Sequence, residues 1–324
     1  MKNILIVLTG GTIAMKSSGN LGVVPTSELA GFIKSFPQLE SVATVDVMEY
    51  SNIPSPYMTP QMMFDLAKLI DLKIVEYDGV VITHGTDTLE ETAFLCDLVL
   101  TTRKPVIFTA AMRSGSDLGL DGPRNIIGAV RVASEFDSMD KGVLVVMNDE
   151  IHTARDVVKC DSGKVDAFMS LGYGPLGIVD PDRVVYHRAT KYRENVWTDK
   201  LETNIDLIKA TAGFDARYIQ CSIEHKAKAI VIEAFGRGNL PDYIVPDLIK
   251  AMEMGILVVI STRTYTGRVL PEYGYDGGGK HLEDNGCLLS GDMKGNKVRL
   301  KLMALFGKYS DAETVKRFFL QYRD

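Results

Sequence analysis

The 324-residue chain is 46% hydrophobic and 24% charged, as in an ordinary globular protein, and is longer than a single core usually grows, so two domains are expected. Its formal charge of −6 argues against a nucleic-acid surface, which needs a basic excess. The four cysteines, Cys96, Cys160, Cys221 and Cys287, include no C-x-x-C pair; neither a zinc site nor a disulfide scaffold is expected, and a reducing, cytoplasmic compartment is the simpler reading.

The chain starts "MKNILIVLTGGTIA". The apolar run from Ile4 to Leu8 is too short for a signal-peptide core, and no A-x-A-like cleavage site follows. No apolar run approaches the ~20 residues that cross a bilayer, so a first strand is expected here and no membrane partner. Further strands are expected at "TVDVMEY", "GVVITH", "PVIFTAAM" and "GVLVVMND", with helical spacing between them over 60–76, 89–101 and 123–136. Continuous Val/Ile runs mark strands buried on both faces, and strand–helix–strand alternation implies a mostly parallel sheet. From Tyr186 the pattern breaks into "YHRATKYRENVWTDKLETN", which holds the only tryptophan and reads as a linker. Beyond it come "AKAIVIEAFGRGN", a helix over 246–253, "GILVVISTRTYTG" and a final helix from Asp311. The expected fold is α/β: a larger N-terminal domain (1–190) with a mostly parallel sheet flanked by helices, a linker (191–215) and a smaller C-terminal α/β domain (216–324).

Chemistry is expected where strands end. "LTGGTIA" closes the first strand with two glycines, which let the backbone bend and approach a ligand, and leaves the Thr12 hydroxyl at the carboxyl edge. A phosphate-binding turn is the competing reading, but G-x-G-x-x-G and the P-loop lysine are absent. "VVITHGTDTLEETA" runs a buried strand into a second hydroxyl-bearing turn. Helix capping would explain Thr86, Asp87 or Thr88, with Glu90 and Glu91 at the positive helix end. The alternative is a ligand site, because open α/β sheets bind outside the carboxyl ends of their strands. A hydroxyl nucleophile needs a base. There is no G-x-S-x-G elbow, the five histidines offer no obvious partner, and His84 reads as a packed or turn-stabilising residue. Lys159, in "NDEIHTARDVVKC", follows another strand and is a candidate base, with an ordinary surface lysine as the alternative.

"LTGGTIA" and "GVVITHGTDTL" resemble the two signature motifs of the bacterial-type L-asparaginase family of asparaginase/glutaminase-like amidohydrolases. The likeness continues in order through "NIPSP", "AAMRSGSDLGLDGPRN", "GVLVVMNDEIHTARDVVK", "YGPLG" and "GRGNLP". It implies hydrolysis of the side-chain amide of L-asparagine, and in some members of glutamine too, through an acyl-enzyme on a threonine. Carried over by motif, Thr12 is the nucleophile, and Thr86, Asp87 and Lys159 form a hydroxyl–acid–base group. Asp87 also meets the substrate ammonium, Ser55 holds its carboxylate, Ala111 presents backbone near the amide, and Asn239 reaches a neighbouring subunit's site. The resemblance implies no metal or cofactor, a small-molecule substrate, and a homotetramer or homodimer. Two readings compete: a catalytically weak amino-acid-binding protein of the same fold, and a tRNA-dependent amidotransferase subunit, which carries an extra amino-terminal domain and suits the negative charge poorly.

One departure from the family pattern stands out. Its usual tyrosine in the loop after the first motif is missing from "MKSSGNLGVVPTSEL". Residues 15–27 hold three serines and two glycines, which suits a lid that closes over a ligand. The acidic partner of that tyrosine falls on Glu272 or Asp276, and Tyr273 or Tyr275 in the same stretch could supply a phenol. Thr12 could otherwise lose its proton through Lys159 with Thr86, or through water.

Overall fold

The computed structural model describes residues 1–17, 23–25, 31, 33, 36–190 and 193–321. They form two compact units, Met1–Asn195 and Val196–Asp324.

The first unit is built on an eight-stranded sheet. In chain order its strands and the short ribbons beside it are β1 (Lys2–Gly10), β2 (Met15–Ser17), β3 (Val23–Pro25), β4 (Ala43–Ile53), β5 (Gly79–Thr83), β6 (Val106–Thr109), β7 (Val143–Met147), β8 (Glu150–Thr153), β9 (Val158–Lys159), β10 (Phe168–Met169), β11 (Gly177–Val179) and β12 (Val184–Tyr186). The sheet order is β12-β11-β8-β7-β6-β5-β1-β4, while β9 pairs with β10 and β2 with β3 in separate two-stranded ribbons. Strands β4, β1, β5, β6 and β7 run parallel, and β8, β11 and β12 extend the sheet antiparallel. Residues in β5, β6 and β7 are buried throughout, because helices cover both faces. β4 lies at the edge and alternates between covered and exposed positions.

Three longer helices matter for the site: α1 (Pro60–Lys73), α2 (Leu89–Val99) and α3 (Gly122–Ser134). α1 starts as its sequence predicts, with Pro60 in the first turn and the Thr59 hydroxyl accepting from the Met62 amide. α3 lays Ile126, Ala129, Val130 and Ala133 against Ile4, Ile6, Val81, Ile107 and Leu144 of the sheet. α2 packs on α1 and β7.

β1 is the strand at which the connections change direction. From β1 the chain leads outward to β4, whereas β5 on its other side leads the opposite way to β6. A doubly wound sheet opens a crevice where adjacent strands connect in opposite directions, here between the carboxyl ends of β1 and β5.

The second unit carries a four-stranded parallel sheet in the order β13 (Ile205–Lys209), β14 (Ala229–Ala234), β15 (Leu257–Thr262), β16 (Leu288–Leu289). Its helices include α4 (Arg217–Glu224), α5 (Val245–Glu253), α6 (Gly295–Lys308) and α7 (Ala312–Leu320). β13 falls inside the stretch expected to be a linker, so that stretch is partly sheet. The start of the same stretch is tied to the first unit: Arg193 pairs with Asp97 at 3.1 Å and Asn195 donates to the Leu100 carbonyl. Burial raises the Asp97 carboxyl above its ordinary range, while Arg193 and the Val143 amide oppose that shift.

Candidate active site

The first turn follows from its glycines. Gly10 and Gly11 have φ of 106° and 84°, in the left-handed region where a side chain is strained. A Cβ on Gly10 would lie 2.5 Å from the Ile53 carbonyl oxygen at the end of β4, and one on Gly11 would lie 2.4 Å from the Gly85 Cα beyond β5. A Cβ on Gly85 would in turn meet the Ser55 Cβ at 2.5 Å and Oγ at 2.6 Å. The ends of β4, β1 and β5 therefore touch backbone to backbone at the crevice. Thr12 and Thr86 stand one residue beyond the Gly11–Gly85 contact; Thr12 opens a 3-10 turn, half-buried, and Thr86 is buried.

Lys159 reaches the second turn from β9. Its Nζ donates to the Thr86 Oγ1 at 2.8 Å and to the Asp87 Oδ1 at 2.6 Å. The lysine side chain is only 16% exposed, while Asp87 keeps 58% of its side chain open to solvent. Ser55 is locked to the same turn: its Oγ accepts from the Asp87 amide at 3.2 Å, and its carbonyl accepts from Thr88 Oγ1 at 2.8 Å. Of the capping reading, Glu90 and Glu91 do stand in the first turn of α2, but the side-chain cap is absent. Thr88 occupies the N-cap position of α2 but makes no side-chain cap bond, because its hydroxyl goes to Ser55.

His84 has a packing task. Fully buried, its ring places Nδ1 2.8 Å from the Gly85 carbonyl and Nε2 3.0 Å from Thr92 Oγ1. A carbonyl only accepts, so the proton sits on Nδ1 and the remaining lone pair faces Thr92. Burial pushes the imidazole down to about 4. The residue stiffens the turn and is no base for the hydroxyls.

Ala111 lies at the end of β6, buried, with its flanking backbone held by α3. Asn125 donates to the Ala110 carbonyl, and Asp121 accepts from the amides of Met112 and Arg113. The Cβ position of Gly122 lies 3.4 Å from Ala111 and 3.0 Å from Ile13, which places this backbone beside the Thr12 turn. Ser55, Thr86, Asp87, Ala111 and Lys159 thus gather with the first glycine turn around one crevice.

The remaining candidates belong to the second unit and have local partners there. The Asn239 Oδ1 accepts from the Gly279 amide at 3.2 Å, and Glu272 pairs with Arg237 at 3.0 Å. Asp276 lies 3.6 Å from His281 and is largely exposed. Tyr273 and Tyr275 lie against each other with ring centroids 5.7 Å apart, both exposed. The loops after β14 and β15 border a cavity of about 490 Å³ between Arg237 and Arg268. Of the expected lid, residues 18–22 and 26–27 lie outside the described residues; 15–17 and 23–25 pair antiparallel as β2 and β3.

Spacing had offered the histidines no partner, yet His152 has two. Its Nδ1 lies 3.0 Å from Ser170 Oγ and its Nε2 3.3 Å from Glu150 Oε2. The His152 ring beside it holds the Glu150 carboxyl below its ordinary range. Ser170 and His152 are buried, so the His152–Ser170 bond ties β8 to the end of β10 and exposes no nucleophile. Glu150 and His152 share one face of β8, but nothing in their spacing links them to Ser170, 18 positions on.

Comparison with known proteins agrees with this architecture. Residues 3–192 match the family model for the asparaginase N-terminal domain, and residues 204–319 match the glutaminase/asparaginase C-terminal domain. The chain is 37% identical to a probable L-asparaginase of Deinococcus radiodurans, over 99% of this chain and 98% of that one. It is 33% identical to an L-asparaginase of Bacillus licheniformis, over 96% and 97%. Among solved structures, a probable cytoplasmic L-asparaginase from Campylobacter jejuni superposes with a TM-score of 0.89 at 31% identity, covering 99% of this chain and all of that one. The chain belongs to the asparaginase family.

Proposed function

We propose that this protein is an L-asparaginase that converts L-asparagine and water to L-aspartate and ammonia through a threonine acyl-enzyme, with weaker action on L-glutamine. The observation that carries the reading is Lys159 Nζ, bonded to both Thr86 and Asp87 one residue from the Gly11–Gly85 contact. In this reading Lys159 acts as the free amine: Thr12 Oγ attacks the side-chain amide carbon while its proton passes through the Thr86 hydroxyl to Lys159 Nζ. Backbone N–H groups of the glycine turns steady the oxyanion. The same pair returns a proton to the departing ammonia, leaving an aspartyl ester on Thr12. Water then cleaves the ester and regenerates the hydroxyl.

The α-groups of the substrate have matching hosts. A carboxylate accepts several bonds, so Asp87 can hold Lys159 and a substrate ammonium together. The Ser55 hydroxyl, accepting from the Asp87 amide, still has its own proton to give to the substrate carboxylate. Asn239, with Glu272 or Asp276, would complete the site of a neighbouring copy in a homodimer or homotetramer. No nucleic-acid or membrane partner belongs to this reading; no helix among the described residues is long and apolar enough to cross a membrane. A cytoplasmic place accords with four cysteines that are all free.

Selectivity between asparagine and glutamine turns on one methylene, worth roughly 1–3 kcal/mol in a pocket. The test is ammonia release from L-asparagine, D-asparagine and L-glutamine in parallel. Rapid quenching and intact-mass analysis would seek the ester on a Thr12-containing peptide. Turnover of L-asparagine well above the other two, with a transient aspartyl adduct on Thr12, is expected. Tight binding of asparagine without ammonia release would instead identify an amino-acid-binding protein.

A further inference from the structure

We infer that Glu90 is a positioning residue for Lys159, holding the backbone of that lysine so that its ammonium stays on the catalytic turn. The inference rests on the proposed role of Lys159 and concerns a residue to which that role assigned nothing.

The amide of Lys159 donates to Glu90 Oε2 at 2.7 Å. β9 is only two residues long, and its pairing with β10 is a ribbon separate from the main sheet, so the strand itself supplies little rigidity. A carboxylate accepting from a backbone amide makes a charge-assisted bond, stronger than a neutral one. Glu90 sits in the first turn of α2, three and four residues beyond Asp87 and Thr86. The turn and the first turn of α2 thus grip Lys159 at both ends, Nζ on Thr86 and Asp87 and the amide on Glu90.

The double grip matters because of the lysine stem. Four flexible carbons separate the backbone from Nζ, so the side chain can adopt many rotamers. Anchoring only the head leaves the base of the stem free to drift, and with it the angle at which Nζ meets the Thr86 hydroxyl. A displacement near 1 Å in such a constellation costs about 100-fold in rate. Glu90 therefore acts on turnover through Lys159, with no contact to substrate, and its loss should fall on kcat and spare KM.

The experiment measures ammonia release from L-asparagine by Glu90→Ala, Glu90→Gln and Lys159→Met, with circular dichroism and thermal melting of each variant. Glu90→Ala should lose about 30- to 100-fold in kcat with KM within about threefold of wild type. Glu90→Gln keeps a side-chain oxygen for the Lys159 amide and should stay within about fivefold of wild-type kcat. If Glu90→Ala does not fold, Glu90→Asp takes its place; one methylene too short to reach, it should show the same loss confined to kcat. An alanine variant with wild-type kcat overturns the inference. So does a glutamine variant as impaired as alanine, since charge and not position would then be at work. Should Lys159→Met keep near-wild-type turnover, the role of Lys159 itself fails. With Lys159→Met inactive and Glu90→Ala fully active, the positioning role alone fails.

Discussion

The turns at the ends of β1 and β5 and the Gly236–Asn239 turn after β14 use the same residue vocabulary, glycines beside polar side chains at the end of a parallel strand. They are built differently. In the first unit, a Cβ on Gly11 would meet the Gly85 backbone at 2.4 Å, and one on Gly85 would meet the Ser55 side chain at 2.5 Å. In the second, Gly236 has φ of 48° with nothing within 4 Å of its Cβ position. The first pair of turns is closed at both glycines; the second turn is open at Gly236 and packed at Gly238, whose Cβ would lie 2.4 Å from Val269 Cγ1. A complete hydroxyl–acid–base group needs the first kind of turn.

The contrast can be broken first at its chemical centre. Lys159→Met keeps stem length and removes the ammonium, and should cost about 10³-fold or more in kcat by steady-state ammonia release. Equal activity would reduce Lys159 to a surface residue. The glycines come next. Gly11→Ala must displace the Gly85 backbone as well as adopt a strained φ, so a loss of roughly 2–4 kcal/mol in urea unfolding is expected, together with most activity. Gly236→Ala carries conformational strain alone and should cost about 1–2 kcal/mol. Comparable losses would erase the distinction between the two turns.

His84 makes the closed turn sensitive to acid. Its folded-state value of about 4 lies below the ordinary 6.5, so the unfolded chain takes up the proton first. The stability it contributes is fully present above about pH 6.5 and is lost as the pH falls toward 4, in total about 3 kcal/mol. Urea melts across that window should steepen this decline in wild type relative to His84→Asn. The smallest effect is expected from the open turn. Asn239→Ala should raise KM about tenfold, the loss of one hydrogen bond to a charged ligand. If the turn serves a neighbouring copy, mixing this variant with Lys159→Met should restore part of the activity in mixed oligomers. Sedimentation showing a fully active monomer would exclude that arrangement.

Much of this was legible in the chain. Continuous apolar strands and turn glycines predict the parallel sheet and both hydroxyl turns, because buried strands and left-handed turns restrict residue choice severely. α6 was not, since "GNKVRLKLMALFGK" looks charged. Its Lys297 and Lys301 are nonetheless buried, and the Lys301 ammonium donates to the Phe319 carbonyl near the end of α7. β13 hid inside a charged stretch because its parallel pairing with β14 is settled by tertiary packing. Strand-end placement made Thr12, Thr86 and Lys159 candidates only, with capping and a surface lysine as rivals; the family resemblance gave them their roles. Glu90 read as a helix-dipole residue, since nothing in spacing shows that a backbone amide 69 positions away lies on its carboxylate.

The central claim is that two hydroxyls on touching turns share one reaction. Single-turnover ammonia release by Thr12→Ala and Thr86→Val, with binding of asparagine measured separately by calorimetry, addresses it most directly. Both variants should stay folded, bind asparagine within about tenfold of wild type, and release ammonia at least about 10³-fold more slowly, with no aspartyl adduct in Thr12→Ala. Near-wild-type release by either variant would contradict the claim, as the crevice would then hold at most one hydroxyl that takes part.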